Sequence, residues 1–81
     1  MPLRLLEAIV PGEAVERIPA LIENFRVIHV RTSRSAEAAG LVTILVDAND
    51  AEAVSDLLVS HFGSHDSFRL ILLPVEATLP V

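Results

Sequence analysis

The 81-residue sequence contains no cysteine, no tryptophan and no tyrosine, and it has only three phenylalanines. Without cysteine the chain forms no disulfide, no zinc ribbon and no thiol-dependent active site. The formal net charge is -5, which argues against nucleic-acid binding, because phosphate recognition needs a surplus of basic side chains. Charged residues also interrupt every apolar stretch well before the ~20 residues that a membrane-spanning helix requires.

The sequence is nevertheless rich in aliphatic residues. Hydrophobic residues make up 52% of it, which is far too apolar for a disordered chain. We do not expect the first ten residues to act as a signal peptide, because Arg4 and Glu7 interrupt their apolar run and Pro11-Gly12 follows it. The length allows one small domain. We therefore predict a single folded domain over residues 1–81.

Extended and helical patterns alternate along this domain. Apolar residues recur at helical spacing from Ala14 to Ile22 and again from Val54 to Phe62. Four apolar segments between turn residues predict strands, namely Leu3–Val10, Phe25–Arg31, Leu41–Val46 and Phe68–Leu73. The order β-α-β-β-α-β predicts an α+β ferredoxin-like sandwich, in which both helices cover one face of a four-stranded antiparallel sheet with strand order 4-1-3-2.

Local signals place the ends of the helices. Pro19 either kinks the first helix or begins its regular part after a separate first turn, and we favour the kink. Asn49 and Glu52 have the form of a capping box for the second helix, and Gly63 predicts a left-handed stop. The polar segment Thr32–Ala39 is predicted to be a mobile connection.

Strand alternation divides the side chains between two sheet faces. We expect the helices to cover the set Leu6, Ala8, Val10, Ile28, Val30, Val42, Ile44, Val46, Leu70 and Leu72. The opposite face mixes large aliphatic side chains with a few polar ones, whereas a sheet face in contact with water is mostly polar. Apolar area of this kind usually marks an interface, although one β-bulge would exchange the two sets. The candidate interface residues are Leu5, Glu7, Ile9, Val27, His29, Leu41, Thr43, Leu45, Ile71 and Leu73.

Residue patterns for catalysis and for metal binding are weak. His61, His65 and Asp66 are close in sequence, but Gly63 ends the helix between them, so we predict no metal site. Glu7 and His29 form a polar pair on the uncovered face, for which a structural or interface role is favoured over acid-base catalysis. We therefore predict no catalytic residue and no cofactor.

Three segments resemble a known family. Leu3–Pro11, Val42–Glu52 and above all Phe68–Pro80 resemble the amino-terminal soluble region of a bacterial and archaeal membrane-protein family, the conserved hydrophobic domain or domain of unknown function 389. The resemblance implies a cytoplasmic domain that is membrane-associated through the rest of a longer parent protein. It also implies that residues 73–81 form an extended tail leading to the membrane region.

Together these observations predict a non-enzymatic accessory or regulatory domain. It would act by self-association or by docking onto the membrane portion of a longer parent chain, through the sheet face that the helices leave uncovered. The alternative is a small-ligand-sensing domain that binds at a sheet or dimer edge near Pro11-Gly12.

Overall fold

Four strands and two helical segments follow one another in the predicted order. The computed structural model describes residues 2–35 and 39–76. Strand β1 is followed by a 3-10 helix that leads directly into the short helix α1, and helix α2 connects β3 to β4. The elements are β1 (Leu3–Pro11), the 3-10 helix (Gly12–Arg17), α1 (Ile18–Leu21), β2 (Val27–Arg34), β3 (Ala39–Asp47), α2 (Ala48–Phe62) and β4 (Arg69–Val75).

The strands form one antiparallel sheet in the order β2-β3-β1-β4. This is the predicted order 4-1-3-2 read from the other edge of the sheet. The 3-10 helix and α2 both contact the central strands β1 and β3. The protein therefore has the ferredoxin-like α+β fold that the sequence predicted.

The core lies between the helices and one face of the sheet. Leu6 and Val10 of β1 and Ile44 of β3 are fully buried there, as the alternation predicted. Leu72, predicted to be covered as well, is 50% exposed, since it lies on an edge strand and the helices contact mainly the central strands. The helical segments contribute their own apolar stripe to the same core, made of Ile18, Val54, Leu58 and Phe62. We call the opposite surface of the sheet, which these helices leave uncovered, the open sheet face.

A β-bulge changes the alternation in β2. Val27 pairs with Val46 and His29 pairs with Leu45, so Ile28 is an extra residue between two neighbouring pairs. As a result Val27 packs against the core, whereas Ile28 is 56% exposed. The prediction of Ile28 as a covered residue and of Val27 as an interface residue was therefore wrong, because the bulge shifts the period of the strand by one.

Strands β2 and β4 are both longer than predicted. β2 continues to Arg34, so the first part of the predicted connection pairs with β3 instead, while residues 36–38 lie outside the described residues. β4 extends to Val75 and includes Pro74, which an edge strand tolerates because one side of its backbone needs no partner. Of the predicted tail, Leu73–Val75 belong to β4 and residues 77–81 lie outside the described residues.

The helix ends differ from the predicted ones in three places. Pro19 lies in the first turn of α1, after a separate 3-10 helix, so the predicted kink was wrong; a proline there lacks only a hydrogen bond that the first turn does not make. Asp47, not Asn49, caps α2, since its carboxylate accepts a 2.8 Å hydrogen bond from the Asn49 amide. Gly63 has φ of -62° and is right-handed, because its N–H still donates to the Val59 carbonyl.

Hydrogen bonds from Arg26 connect the segment before β2 to the start of α2. Its backbone N–H and its Nε both donate to Oδ2 of Asp50, at 2.9 and 3.1 Å. These hydrogen bonds, together with the positive charge of the guanidinium, hold the pKa of Asp50 below its ordinary value. The Asp47 amide donates to the Arg26 carbonyl at 3.0 Å, so the end of β3, the start of α2 and the segment before β2 are in contact here.

Candidate interface and cavity on the open sheet face

The register of the sheet arranges the side chains of the open sheet face in rows that cross all four strands. The first, which we call the leucine row, consists of Leu73, Leu5 and Leu45 with His29 at its β2 end. Leu73 is 40% exposed, and Leu5 and Leu45 are partly buried. This end of the open sheet face is therefore almost entirely apolar.

The next row, which we call the central row, consists of Ile71, Glu7, Thr43 and Arg31. Ile71 is 52% exposed, and the Glu7 and Arg31 side chains are exposed as well. One acidic and one basic side chain thus share this row, separated by Thr43 on the strand between them.

The third row, which we call the outer row, consists of Arg69, Ile9, Leu41 and Ser33. Leu41 is 46% exposed, which is unusual for a leucine on a central strand. Three large aliphatic side chains, one in each row, are therefore exposed on a single sheet face. Contiguous apolar surface of this kind is typical of a binding site for another molecule.

A shallow cavity of about 280 Å³ lies over the central and outer rows. Its apolar lining comes from Ile9, Leu41 and Ile71. Its polar lining comes from all four strands and consists of Glu7, Arg31, Ser33, Thr43 and Arg69. The cavity therefore combines two guanidinium groups, one carboxylate and two hydroxyls with aliphatic surface.

The two arginines at the cavity have no acidic partner among the described residues. Arg69 donates a 2.9 Å hydrogen bond to the Phe68 carbonyl, and neither Arg31 nor Arg69 forms an ion pair in the described part of the chain. Glu7 also forms no ion pair there. Three of the other arginines are engaged elsewhere: Arg26 with Asp50, Arg34 with Glu16, and Arg17 over the ring of Phe62 at 5.7 Å.

The structure does not place the predicted polar pair side by side. Glu7 lies in the central row, whereas His29 lies at the end of the leucine row on an outer strand. The β2 residue in the row of Glu7 is Arg31, which was not among the candidate residues although it alternates in step with His29. Arg69 alternates in step with Ile71 and could have been found in the same way, whereas Ser33 was missed because the predicted strand ended before it.

The two histidines near the end of α2 are both exposed. His61 is in the last turn of the helix, and His65 and Asp66 are in the turn that follows it. Within residues 2–35 and 39–76, no group of three potential ligands is arranged to hold a metal ion.

In the same ranges no helix is long and apolar enough to cross a membrane.

The predicted ligand position near Pro11-Gly12 lies beside the cavity. Pro11 pairs with Ala39 at the end of β1, and Gly12 is buried at the start of the 3-10 helix. The cavity begins two residues earlier, at Ile9, and opens onto the sheet face. This cavity thus belongs to the sheet and not to the loop.

Comparison with known proteins identifies the fold. No family model matches the sequence, and no curated protein sequence matches it. Among solved structures, CutA1 from Oryza sativa has a TM-score of 0.77 at 18% identity, covering 96% of this chain and 84% of that one. CPII from Thiomonas intermedia K12, a nitrogen regulatory PII-like protein bound to ADP, AMP and bicarbonate, has a TM-score of 0.77 at 19% identity, with coverage of 99% and 94%.

A third similar structure is the PII protein of Arabidopsis thaliana bound to citrate. Its TM-score is 0.69 at 18% identity, and the match covers 91% of this chain and 78% of that one. At these identities the likeness shows a shared fold. The chain therefore has the same ferredoxin-like architecture as CutA1 and PII-like proteins.

Proposed function

We propose that this protein is a non-enzymatic regulatory domain that self-associates through its open sheet face. The observation that carries the proposal is the exposure of Leu41, Ile71 and Leu73 on one uncovered face of the sheet. Covering their exposed parts would stabilise an assembly by roughly 2–4 kcal/mol per copy, at about 1.5–3 kcal/mol for each fully buried side chain. The partly buried aliphatic side chains between them would add to this area.

A second copy of the chain is the occupant that the charges of this face favour. A two-fold interface brings the same patch together from both copies. The open sheet face carries Glu7 together with Arg31 and Arg69, none of which has an ion-pair partner in the described part of its own chain. The carboxylate of one copy can therefore pair with a guanidinium of the other, which makes part of the face complementary to itself and leaves one guanidinium per copy over.

The regulatory assignment is supported by the shared architecture. CutA1 and PII-like proteins are built on the same fold, and CPII is a nitrogen regulatory protein. The resemblance to the membrane-protein family remains a prediction. If it holds, the membrane portion of a longer parent chain is the competing occupant of the open sheet face.

Sedimentation equilibrium of the wild-type chain and two variants tests self-association. Leu73→Asp places a carboxylate in the leucine row, outside the cavity lining. Losing its burial costs about 1 kcal/mol per copy, so a symmetric dimer should dissociate roughly 30-fold more readily. Val59→Asp is the matched control, because Val59 is an aliphatic residue, 50% exposed, on α2.

The expected result is concentration-dependent association of the wild type and of Val59→Asp, with strong weakening in Leu73→Asp. Circular dichroism confirms that each variant is folded. A wild type that stays monomeric at millimolar concentration would contradict self-association and would leave the membrane portion of a parent chain as the occupant to test. Equal association of both variants would show that another surface mediates the contact.

A second candidate function, small-ligand sensing, is favoured by the cavity beside the end of β1. The similar PII-like structures hold small ligands: ADP, AMP and bicarbonate in CPII, and citrate in the Arabidopsis protein. A thermal-shift screen over amino acids, nucleotides and anions tests this function, because a specific ligand raises the unfolding temperature by mass action. The absence of any shift at millimolar ligand would count against it.

A further inference from the structure

We propose that the cavity on the open sheet face binds a small oxyanion, and that this anion promotes self-association. The anion is a carboxylate or phosphate group carried by a ligand whose remaining part is apolar. The coupling to self-association rests on the proposed function, whereas the binding site stands on the cavity itself.

The charge balance of the cavity favours an anion once the face is covered. Arg31 and Arg69 contribute two positive charges and Glu7 contributes one negative charge, so each copy brings an excess of one positive charge. Burying a guanidinium without a counter-charge is strongly unfavourable. Even if each Glu7 pairs with an arginine across the interface, one arginine per copy remains unpaired. One bound anionic group per copy restores neutrality.

The shape and lining of the cavity define the rest of the ligand. Arg31 and Arg69 are on the two edge strands of the sheet, three strand spacings or roughly 14 Å apart across the strands and one row apart along them, so they flank the cavity from opposite sides. A guanidinium presents paired N–H groups that match a carboxylate or phosphate. Between the arginines, Ile9 and Leu41 offer aliphatic surface, and Thr43 offers a hydroxyl. The volume of about 280 Å³ suits a small molecule.

Titration calorimetry with simple anions tests the binding site. The probes are sodium hexanoate, sodium acetate and inorganic phosphate, each compared with sodium chloride at equal ionic strength. We expect hexanoate to bind more tightly than acetate, because only hexanoate covers the aliphatic lining. Binding of phosphate but not of hexanoate would assign the site to a phosphate-bearing ligand and would overturn the apolar part of the proposal.

Arginine variants show whether the cavity is the binding site. Because the two arginines flank the cavity from opposite sides, replacement of the one that holds the carboxylate, in Arg31→Gln or Arg69→Gln, should weaken hexanoate binding by about tenfold, the usual effect of losing a charge-assisted hydrogen bond. No weakening in either variant would overturn the proposal. Arg4→Gln is the matched control with the same change in charge. Arg4 is also a strand residue, but it pairs with the buried Val46 and alternates with the residues of the open sheet face. Equal weakening in Arg4→Gln, or equal heats with chloride, would overturn the proposal.

The anion site and the self-association can fail separately. Sedimentation with and without hexanoate should show tighter association of the wild type in its presence, and this effect should be lost in the arginine variant that weakens hexanoate binding. If the wild type is monomeric but binds hexanoate in an arginine-dependent manner, the proposed function fails and the site stands. If Leu73→Asp abolishes association while hexanoate never affects the wild-type equilibrium, the coupling fails and the interface stands.

Discussion

Gly40 lies at the start of β3, where the 3-10 helix packs against it, and we predict that alanine at this position destabilises the domain. A Cβ atom there would overlap Cγ1 of Val15 and would lie 3.1 Å from Cγ2 of Val10 and 3.2 Å from the Pro11 carbonyl oxygen. Val10 and Val15 are core residues with little room to move. Overpacking of this kind costs about 1–3 kcal/mol.

A double-mutant cycle with Val15 distinguishes the predicted overlap from a general loss of stability. Val15→Ala alone removes two buried methyl groups and should cost about 2 kcal/mol. In the double variant, the methyl group that Gly40→Ala adds would occupy space that the shortened side chain at position 15 no longer fills. The double variant should therefore be more stable than the sum of the two single effects predicts, by about 1 kcal/mol.

Urea unfolding followed by circular dichroism at 222 nm measures all four proteins of the cycle, since the chain has no tryptophan or tyrosine to report by fluorescence. The free energy of unfolding of a domain of this size is roughly 4–12 kcal/mol, so the assay can measure the loss caused by each single substitution. The reasoning is refuted if Gly40→Ala is as stable as the wild type. Strict additivity of the two substitutions would refute the contact with Val15.

Two further predictions concern the start of α2. Asp47→Ala should lower the free energy of unfolding by about 1 kcal/mol, because the Asn49 amide loses its acceptor, whereas Asn49→Ala should have little effect; urea unfolding of both variants distinguishes the two caps. The hydrogen bonds from Arg26 lower the pKa of Asp50 in the folded state. The ionised carboxylate therefore stabilises the fold fully at any pH above the pKa that Asp50 has in the unfolded chain. This stabilisation is lost as the pH falls through the lower pKa of the folded state. Asp50→Asn should therefore flatten the acid limb of a stability-against-pH curve, and an unchanged acid limb, or equal flattening by Asp56→Asn on the same helix, would contradict this origin.

The alternation of apolar residues predicted the central strands correctly, and for a physical reason. β1 and β3 have a hydrogen-bonded neighbour on each side, so an extra residue in either strand would disturb two ladders at once. Their side chains therefore keep a strict period of two, which places Leu6 and Ile44 in the core. The edge strand β2 has one neighbour only, and it accommodates the bulge at Ile28 that the sequence does not reveal.

The cap of α2 illustrates a second kind of information that the sequence lacks. Asp47 and Asn49 are both good N-cap residues, and the Glu52 spacing favoured Asn49. The choice depends on where β3 ends. Because the amide of Asp47 donates to the Arg26 carbonyl, β3 continues to Asp47 and the helix begins immediately after it. A contact with a segment 21 residues away in sequence thus decides a local feature.

The candidate site depends on register in the same way. Alternation assigns Glu7 and His29 to one sheet face, but it does not say which residues of different strands lie opposite each other. The observed register places Glu7 in line with Thr43 and Arg31. The charge excess at the cavity also depends on the tertiary fold, because Arg31 and Arg69 form no ion pair among the described residues whereas two other arginines do. Asp50 and Glu16 are paired with Arg26 and Arg34 by the tertiary fold. A chain with a net charge of -5 can therefore present a positively charged cavity, and the open sheet face favours an anion although the protein as a whole is acidic.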